Sequence, residues 1–369
     1  MKLFFSENTR FMVLLICFLF AGNLYAQNNN SKGDGFPINR SEVIKTAHTY
    51  TRVHWYMSKD NQRGHGCKGN FKSTYRIGHR VGMGYKWGAW DDVKTFLTRI
   101  EDGYGTGTGG YVNYKDYSFD CVTGTSCTGL VSRAWRLNHK YTLTYPDSPN
   151  IPRQMHEITN PVEGVDFRNY KTSMIKKGDA FMNKSHIILF VYETRDRTAM
   201  VIDSGSSGVS FREMSYKELA DNGYTAIRYN NIRDEKNPVG TIKNPMIIDS
   251  DKFPFNHTGN TRDVASMEFD RYAKDADFNE QGPEFVYELR VQVSGKVLIT
   301  LDEPRNEGID NDLYFLKSLK KNEKRIASEC LMRGDEWIAR YLYPGIYYIV
   351  VDSGKDQPGE YRMLVTFAR

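Results

Sequence analysis

Residues 118–137 read Ser-Phe-Asp-Cys-Val-Thr-Gly-Thr-Ser-Cys-Thr-Gly-Leu-Val-Ser-Arg-Ala-Trp-Arg-Leu, a small polar turn that runs straight into an apolar-periodic segment. The stretch predicts a loop that starts a helix. Thr125 or Ser126 is the expected N-cap, its hydroxyl accepting one of the N–H groups that a helix start leaves unpaired. Leu130, Val131, Ala134, Trp135 and Leu137 then supply a core-facing stripe. Cys127 falls in the first turn, where the helix dipole and free backbone N–H groups favour a thiolate and make the residue a candidate nucleophile. A small buried cysteine packing a helix start is the plain alternative.

The chain around this stretch has 369 residues, enough to bury a large core, and two domains are the natural expectation. Residues 1–26 place Lys2 and Arg10 before the apolar run Phe11-Met-Val-Leu-Leu-Ile-Cys-Phe-Leu-Phe and end in Ala-Gly-Asn-Leu-Tyr-Ala, the layout of a secretory signal peptide with cleavage near Ala26. That run is too short to span a bilayer, so no stable membrane insertion is expected. The formal net charge of +5 falls by one when Lys2, Arg10 and Glu7 leave with the leader. No basic run interleaved with aromatics appears. Nucleic acid is therefore not an expected partner, whereas an anionic surface such as a cell wall is compatible.

Beyond the leader the cysteines are Cys67, Cys121, Cys127 and Cys330. In an exported chain they invite disulfides, but the spacing does not choose among the three full pairings. If Cys127 is to stay free, Cys67 with Cys121 is the expected bridge, and Cys330 is expected buried. The spacing lacks Cys-x-x-Cys and the histidines lack ligand periodicity, so no metal or other cofactor is expected.

Residues 27–37 are polar and turn-rich and predict a flexible segment. A helix is predicted from Asn39 through Tyr50, a short strand over Val53–Met57, a glycine and aromatic turn over Gly82–Trp90, a helix over Asp91–Ile100 and a glycine-rich loop over 102–113. After the Cys127 helix come an irregular stretch over 138–173, a turn into a strand at 176–182, a buried strand opened by His186, a charged turn and the strand Thr198–Gly205, then a short strand at 226–229. Helix first and antiparallel strands after is an α+β pattern. From about residue 240, short alternating strands separated by Gly, Asp and Asn turns predict a β-sandwich.

A cysteine nucleophile needs a base in hydrogen-bond reach and a group to orient that base. His186 is the candidate base. Asp203, at the end of the neighbouring hairpin strand, is the candidate to accept the ring N–H, its alternative being an ordinary strand-end turn residue.

These residues resemble a family. Ser126-Cys-Thr-Gly-Leu-Val, Gly84-Tyr-Lys-Trp-Gly, and Lys177-Gly-Asp leading to His186-Ile-Ile-Leu-Phe look like the NlpC-type papain-like cell-wall peptidases, relatives of the CHAP amidases, over roughly residues 75–230. The resemblance implies an α+β papain-like domain over 38–232, with the cysteine helix packed on an antiparallel sheet, and a hydrolase acting on amide bonds of peptidoglycan or another peptide substrate. It implies Cys127 as nucleophile, His186 as base and Asp203 as third polar residue. Tyr85, Ser126 and Thr128 would lie around the substrate, with the Cys127 backbone N–H at the oxyanion. Ser126 stands where the family has Asp and Thr128 where it has Ser, which leaves open a changed substrate preference, a non-catalytic binding protein on a degenerate scaffold, or acyl transfer. Asp120-Cys121 is a rival pair, but no Gly-Leu-Val follows it.

Residues 240–369 resemble the bacterial pre-peptidase C-terminal domain through Asn244-Pro, Phe253-Pro-Phe, Gly282-Pro-Glu-Phe-Val-Tyr, Asp310-Asn-Asp-Leu-Tyr, Leu342-Tyr-Pro-Gly-Ile-Tyr-Tyr-Ile-Val-Val-Asp and Gly359-Glu-Tyr. That implies an all-β sandwich serving secretion or targeting. The acidic residues Asp302, Asp310 and Asp312 are read as solvated turns, with a calcium site as the alternative. The expected protein is a monomer exported to the periplasm, cell surface or medium.

Overall fold

Ile187, Leu189 and Val191 point to one side of a strand and Ile188 and Phe190 to the other, and all five are buried. The continuous apolar run is therefore inside the protein on both faces. The computed structural model describes residues 35–67, 71–107, 121–143, 154–194, 196–264, 266–273, 280–304, 308–354 and 357–368. The signal-peptide segment 1–26 and most of the segment expected to be flexible lie outside these residues. Within the segment expected to be flexible, Gly35 is tied down: it bridges to Leu137, and its carbonyl accepts from Asn231 Nδ2 at 3.1 Å.

The N-terminal half opens with α1 (Arg40–Thr51), β1 (His54–Met57), α2 (Lys59–Arg63), β2 (Gly78–Val81) and α3 (Val93–Glu101). The last of these starts later than the pattern suggests because the Asp92 carboxylate caps the Thr95 N–H at 2.8 Å. Then follow α4 (Cys127–Ala134), β3 (Thr159–Pro161), β4 (Ala180–Met182), β5 (Ile187–Glu193), β6 (Thr198–Gly205), β7 (Gly208–Ser215), α5 (Tyr216–Asp221) and β8 (Thr225–Tyr229). His186 lies one residue before β5 rather than on it. The strands form one antiparallel sheet in the order β3-β8-β4-β5-β6-β7.

One face of this sheet is covered by α1 and α4. Val43, Ile44, Ala47, Leu130, Val131 and Ala134 share a core with Ile187, Leu189 and Ile202. Phe167, Tyr216 and Leu219 cover the other face over Ile188, Phe190 and Val201. Each fully buried aliphatic side chain of this kind stabilises by about 1.5–3 kcal/mol, so both layers fix β5 and β6 in register. Asp179, at the turn before β4, is fully buried and accepts from Arg40 Nη1 at 2.9 Å and from Arg228 Nε and Nη2 at 2.9 and 2.6 Å, tying α1 and β8 to that turn.

From residue 246 two further sheets stack on a shared core. One has β9 (Met246–Asp249), β11 (Phe285–Val291), β16 (Gly345–Ser353), β13 (Asn311–Leu316) and β14 (Cys330–Gly334) side by side; the other has β10 (Phe255–Asn260), β17 (Glu360–Phe367), β12 (Gly295–Asp302) and β15 (Trp337–Leu342). Val297, Ile299 and Leu301 alternate inward toward Leu313, Phe315, Ile349 and Val351, as a sandwich requires. The described chain is β-rich with few helices.

The two halves have separate sheets but form one compact unit from Gly35 onward. A short helix, α6 (Thr261–Val264), lies against α1. Arg262 stacks over the Phe211 ring at 4.6 Å, Lys177 Nζ donates to the Val264 carbonyl at 2.8 Å, and Arg52 pairs with Glu360 at 2.5 Å.

Candidate active site

Ser126 is the N-cap of α4: its Oγ accepts from the Gly129 N–H at 3.2 Å, and its backbone is extended, as a cap requires. Cys127 is therefore the first helical residue, buried at 9% exposure with a free thiol. The turn at Tyr85–Trp90 is pressed against this helix start. Ala89 C=O accepts from both Ser126 N–H at 2.9 Å and Ser126 Oγ at 3.0 Å. Only a glycine fits at 129, because a Cβ there would come 2.1 Å from the Ala89 oxygen.

Ser126 and Thr128 were expected beside substrate, and both are buried instead. Their hydroxyls lie 3.2 Å from each other, and Ser126 is further committed to the cap and to Ala89. Both hydroxyls belong to the helix start. Tyr85 is half-buried; its backbone N–H donates to Tyr75 Oη at 3.0 Å, its carbonyl accepts from Gly107 N–H at 2.7 Å, and it bridges Thr125, two residues before Cys127.

His186 is aimed by the turn that precedes it. Asn183 Oδ1 accepts from the backbone N–H groups of Ser185 and His186 at 2.9 and 2.8 Å. The ring Nε2 meets Asp203 Oδ1 at 2.6 Å, which leaves Nδ1 for a second partner, and the ring also interacts with the Cys127 side chain. The sheet holds these groups in register with the helix: Ser204 Oγ, next to Asp203, donates to the Thr125 carbonyl at 2.9 Å. The structure thus brings Cys127, His186 and Asp203 to one place.

Electrostatics follow from this packing. Burial disfavours the charged His186 ring, but the hydrogen bonds and charges of Asp203 and Cys127 outweigh it and push the ring up to about 10. Burial also opposes the Asp203 carboxylate, yet His186 and then Arg212 hold its pKa below the usual value. Burial raises the half-buried Tyr224 phenol to about 12, helped by the nearby Asp203 charge.

No family model and no curated protein matches this chain. Among solved structures, the pre-peptidase C-terminal domain of a collagenase from Bacillus anthracis is 12% identical over 36% of this chain and 100% of its own, with a TM-score of 0.23. The Aeromonas hydrophila protein PliG, a periplasmic inhibitor of g-type lysozyme, is 10% identical over 36% of this chain and 99% of its own, also with a TM-score of 0.23. Likenesses this faint leave function to be argued from the site itself.

Arg212 is the site residue that sequence reasoning missed. Its Nε and Nη2 reach Asp203 Oδ2 at 3.1 and 2.8 Å. It lies on β7, a strand signalled by the tight Gly205-Ser-Ser-Gly208 turn and the alternation of Val209 and Phe211. Cys121 is not a rival nucleophile, because it is joined to Cys67 in a disulfide with Cα atoms 5.2 Å apart; Asp120 lies outside the described residues. Cys330 is buried in the sandwich. Asp312 pairs with Arg333 at 2.7 Å, and among the described residues no group of His, Cys, Asp or Glu is arranged to hold a metal. No helix among them is long and apolar enough to cross a membrane. A cavity of about 700 Å³ lined by His54, Tyr56, His65 and Glu101 includes none of Cys127, His186 or Asp203.

Proposed function

We propose that the chain is an exported cysteine hydrolase with a papain-like catalytic half, cleaving amide bonds in cell-wall peptides. The observation that carries the reading is the alignment of Cys127 at a helix start with His186, Asp203 and Arg212, a nucleophile with its base, its orienter and a clamp on the orienter. A packing cysteine requires none of the other three. The export part of the reading rests on the leader-like residues 1–26.

In this mechanism His186 holds the proton and the sulfur reacts as the thiolate. The sulfur attacks the scissile carbonyl carbon, and the oxyanion is stabilised by the Cys127 N–H, one of the donors that a helix start leaves without an intrahelical partner. At neutral pH a ring raised to about 10 carries a proton, and this proton passes to the leaving nitrogen as the C–N bond breaks. A thioester remains. Water gives a proton to the now neutral His186 as its oxygen adds to the thioester carbon; the C–S bond breaks, the acid product leaves, and the thiolate and the protonated ring are restored.

The test is digestion of purified sacculi by the wild-type chain and by Cys127→Ala, with released fragments identified by mass spectrometry. New amine and carboxyl ends with the wild type and none with the variant support the reading. Equal release by the variant, or none by the wild type, overturns it.

A further inference from the structure

Beyond α4 the chain folds back on the helix, with Tyr141 N–H donating to Ser132 Oγ at 3.1 Å, and this return carries Lys140 to the Tyr85–Trp90 turn. Lys140 Nζ donates to the Gly88 carbonyl at 2.6 Å. Gly88 has a left-handed φ of 72°, and a Cβ there would sit 3.8 Å from that ammonium. The next residue, Ala89, holds the Ser126 cap. The ammonium is thus seated one residue from the group that fixes the Cys127 turn, and it interacts electrostatically with the Cys127 side chain.

Among the described residues no carboxylate pairs with Lys140. One of its three donors is used by Gly88. Burial lowers its pKa, and the nearby Cys127 sulfur opposes that shift. A half-buried ammonium with no carboxylate partner among the described residues costs stability, and that cost is offset when an anion docks against it.

We infer that Lys140 is a specificity residue that binds a free carboxylate on the substrate beside the scissile amide. The inference rests on the hydrolase reading and adds the substrate class: acidic peptides whose carboxyl group next to the cleaved bond is free rather than amidated.

Two alkylating reagents that differ in this feature test it on the full chain. Iodoacetate and iodoacetamide both lose iodide as the Cys127 sulfur bonds to the CH2 carbon, but iodoacetate alone carries a carboxylate at the adjacent carbon. The ratio of their rates at Cys127, located by peptide mapping, is compared in the wild type, Lys140→Met and Lys140→Arg. Any attraction exerted by His186 is common to all three. The expected result is a ratio about fivefold lower in Lys140→Met, the scale of one ion pair, and largely restored in Lys140→Arg. An unchanged ratio in Lys140→Met, with Cys127 still reacting, overturns this inference and leaves the hydrolase reading standing. A Cys127 that reacts with neither reagent in the wild type overturns both.

Discussion

Arg212 and His186 divide the Asp203 carboxylate between them: Nε2 of the histidine takes Oδ1 at 2.6 Å, and Nη2 of the arginine takes Oδ2 at 2.8 Å. Both oxygens are committed, so the carboxylate cannot rotate without giving up a charge-assisted bond. Arg212 thereby acts through Asp203 on the orientation of the His186 ring.

Removing that clamp has a pH signature. Burial opposes the Asp203 charge and Arg212 helps to hold it, so Arg212→Gln raises the pKa of the carboxylate. The acid limb of the Cys127 alkylation profile is expected to move to higher pH, with Arg212→Lys intermediate. An acid limb in the same place for all three proteins would contradict the clamp.

Stability linked to His186 runs the other way. The folded ring is raised from the ordinary 6.5 to about 10, against its own burial, by Asp203 and Cys127. Its contribution is therefore complete below about pH 6.5 and is lost as pH rises through about 10. The Tm advantage of the wild type over His186→Gln, followed by circular dichroism, is expected to shrink between about pH 7 and about pH 10. An advantage that grows over this range would refute the assignment.

Asp179 is fully buried between Arg40 and Arg228, and Arg40 itself is 4% exposed. Asp179→Ala strands these cations and is expected to cost about 3–5 kcal/mol in urea unfolding, with a smaller loss for Arg228→Ala, whose side chain is partly solvated.

Gly129→Ala tests the contact between the helix start and the Ala89 turn. The added methyl would meet a backbone oxygen at 2.1 Å, so the turn must shift. The expected cost is about 1–3 kcal/mol, accompanied by slower Cys127 alkylation because the cysteine moves with its cap.

Much of the frame was legible because its signals are local. The Thr198–Gly205 strand carries its own periodicity, the Ile187–Tyr192 run has the length of a buried strand, and Ser126 reads as a cap from the residues that follow it. The orientation of Ser126 and Thr128 was not legible, since a buried hydroxyl and a substrate-facing one have the same sequence. Arg212 and Lys140 escaped for a related reason. Each meets its partner across a fold-back, Lys140 reaching Gly88 over 52 positions, and no local pattern encodes such a meeting. On β7 the polar residues Arg212 and Glu213 also interrupt the alternation that Val209 and Phe211 begin.

Phe211 precedes Arg212 on β7, and it is the ring on which Arg262 of α6 rests. The strand that steadies the Asp203 carboxylate is thus also a seat for the second half of the molecule. Exchanging or removing that half takes the arginine away from Phe211, so a change on one side of the seam is felt on the strand that carries Arg212.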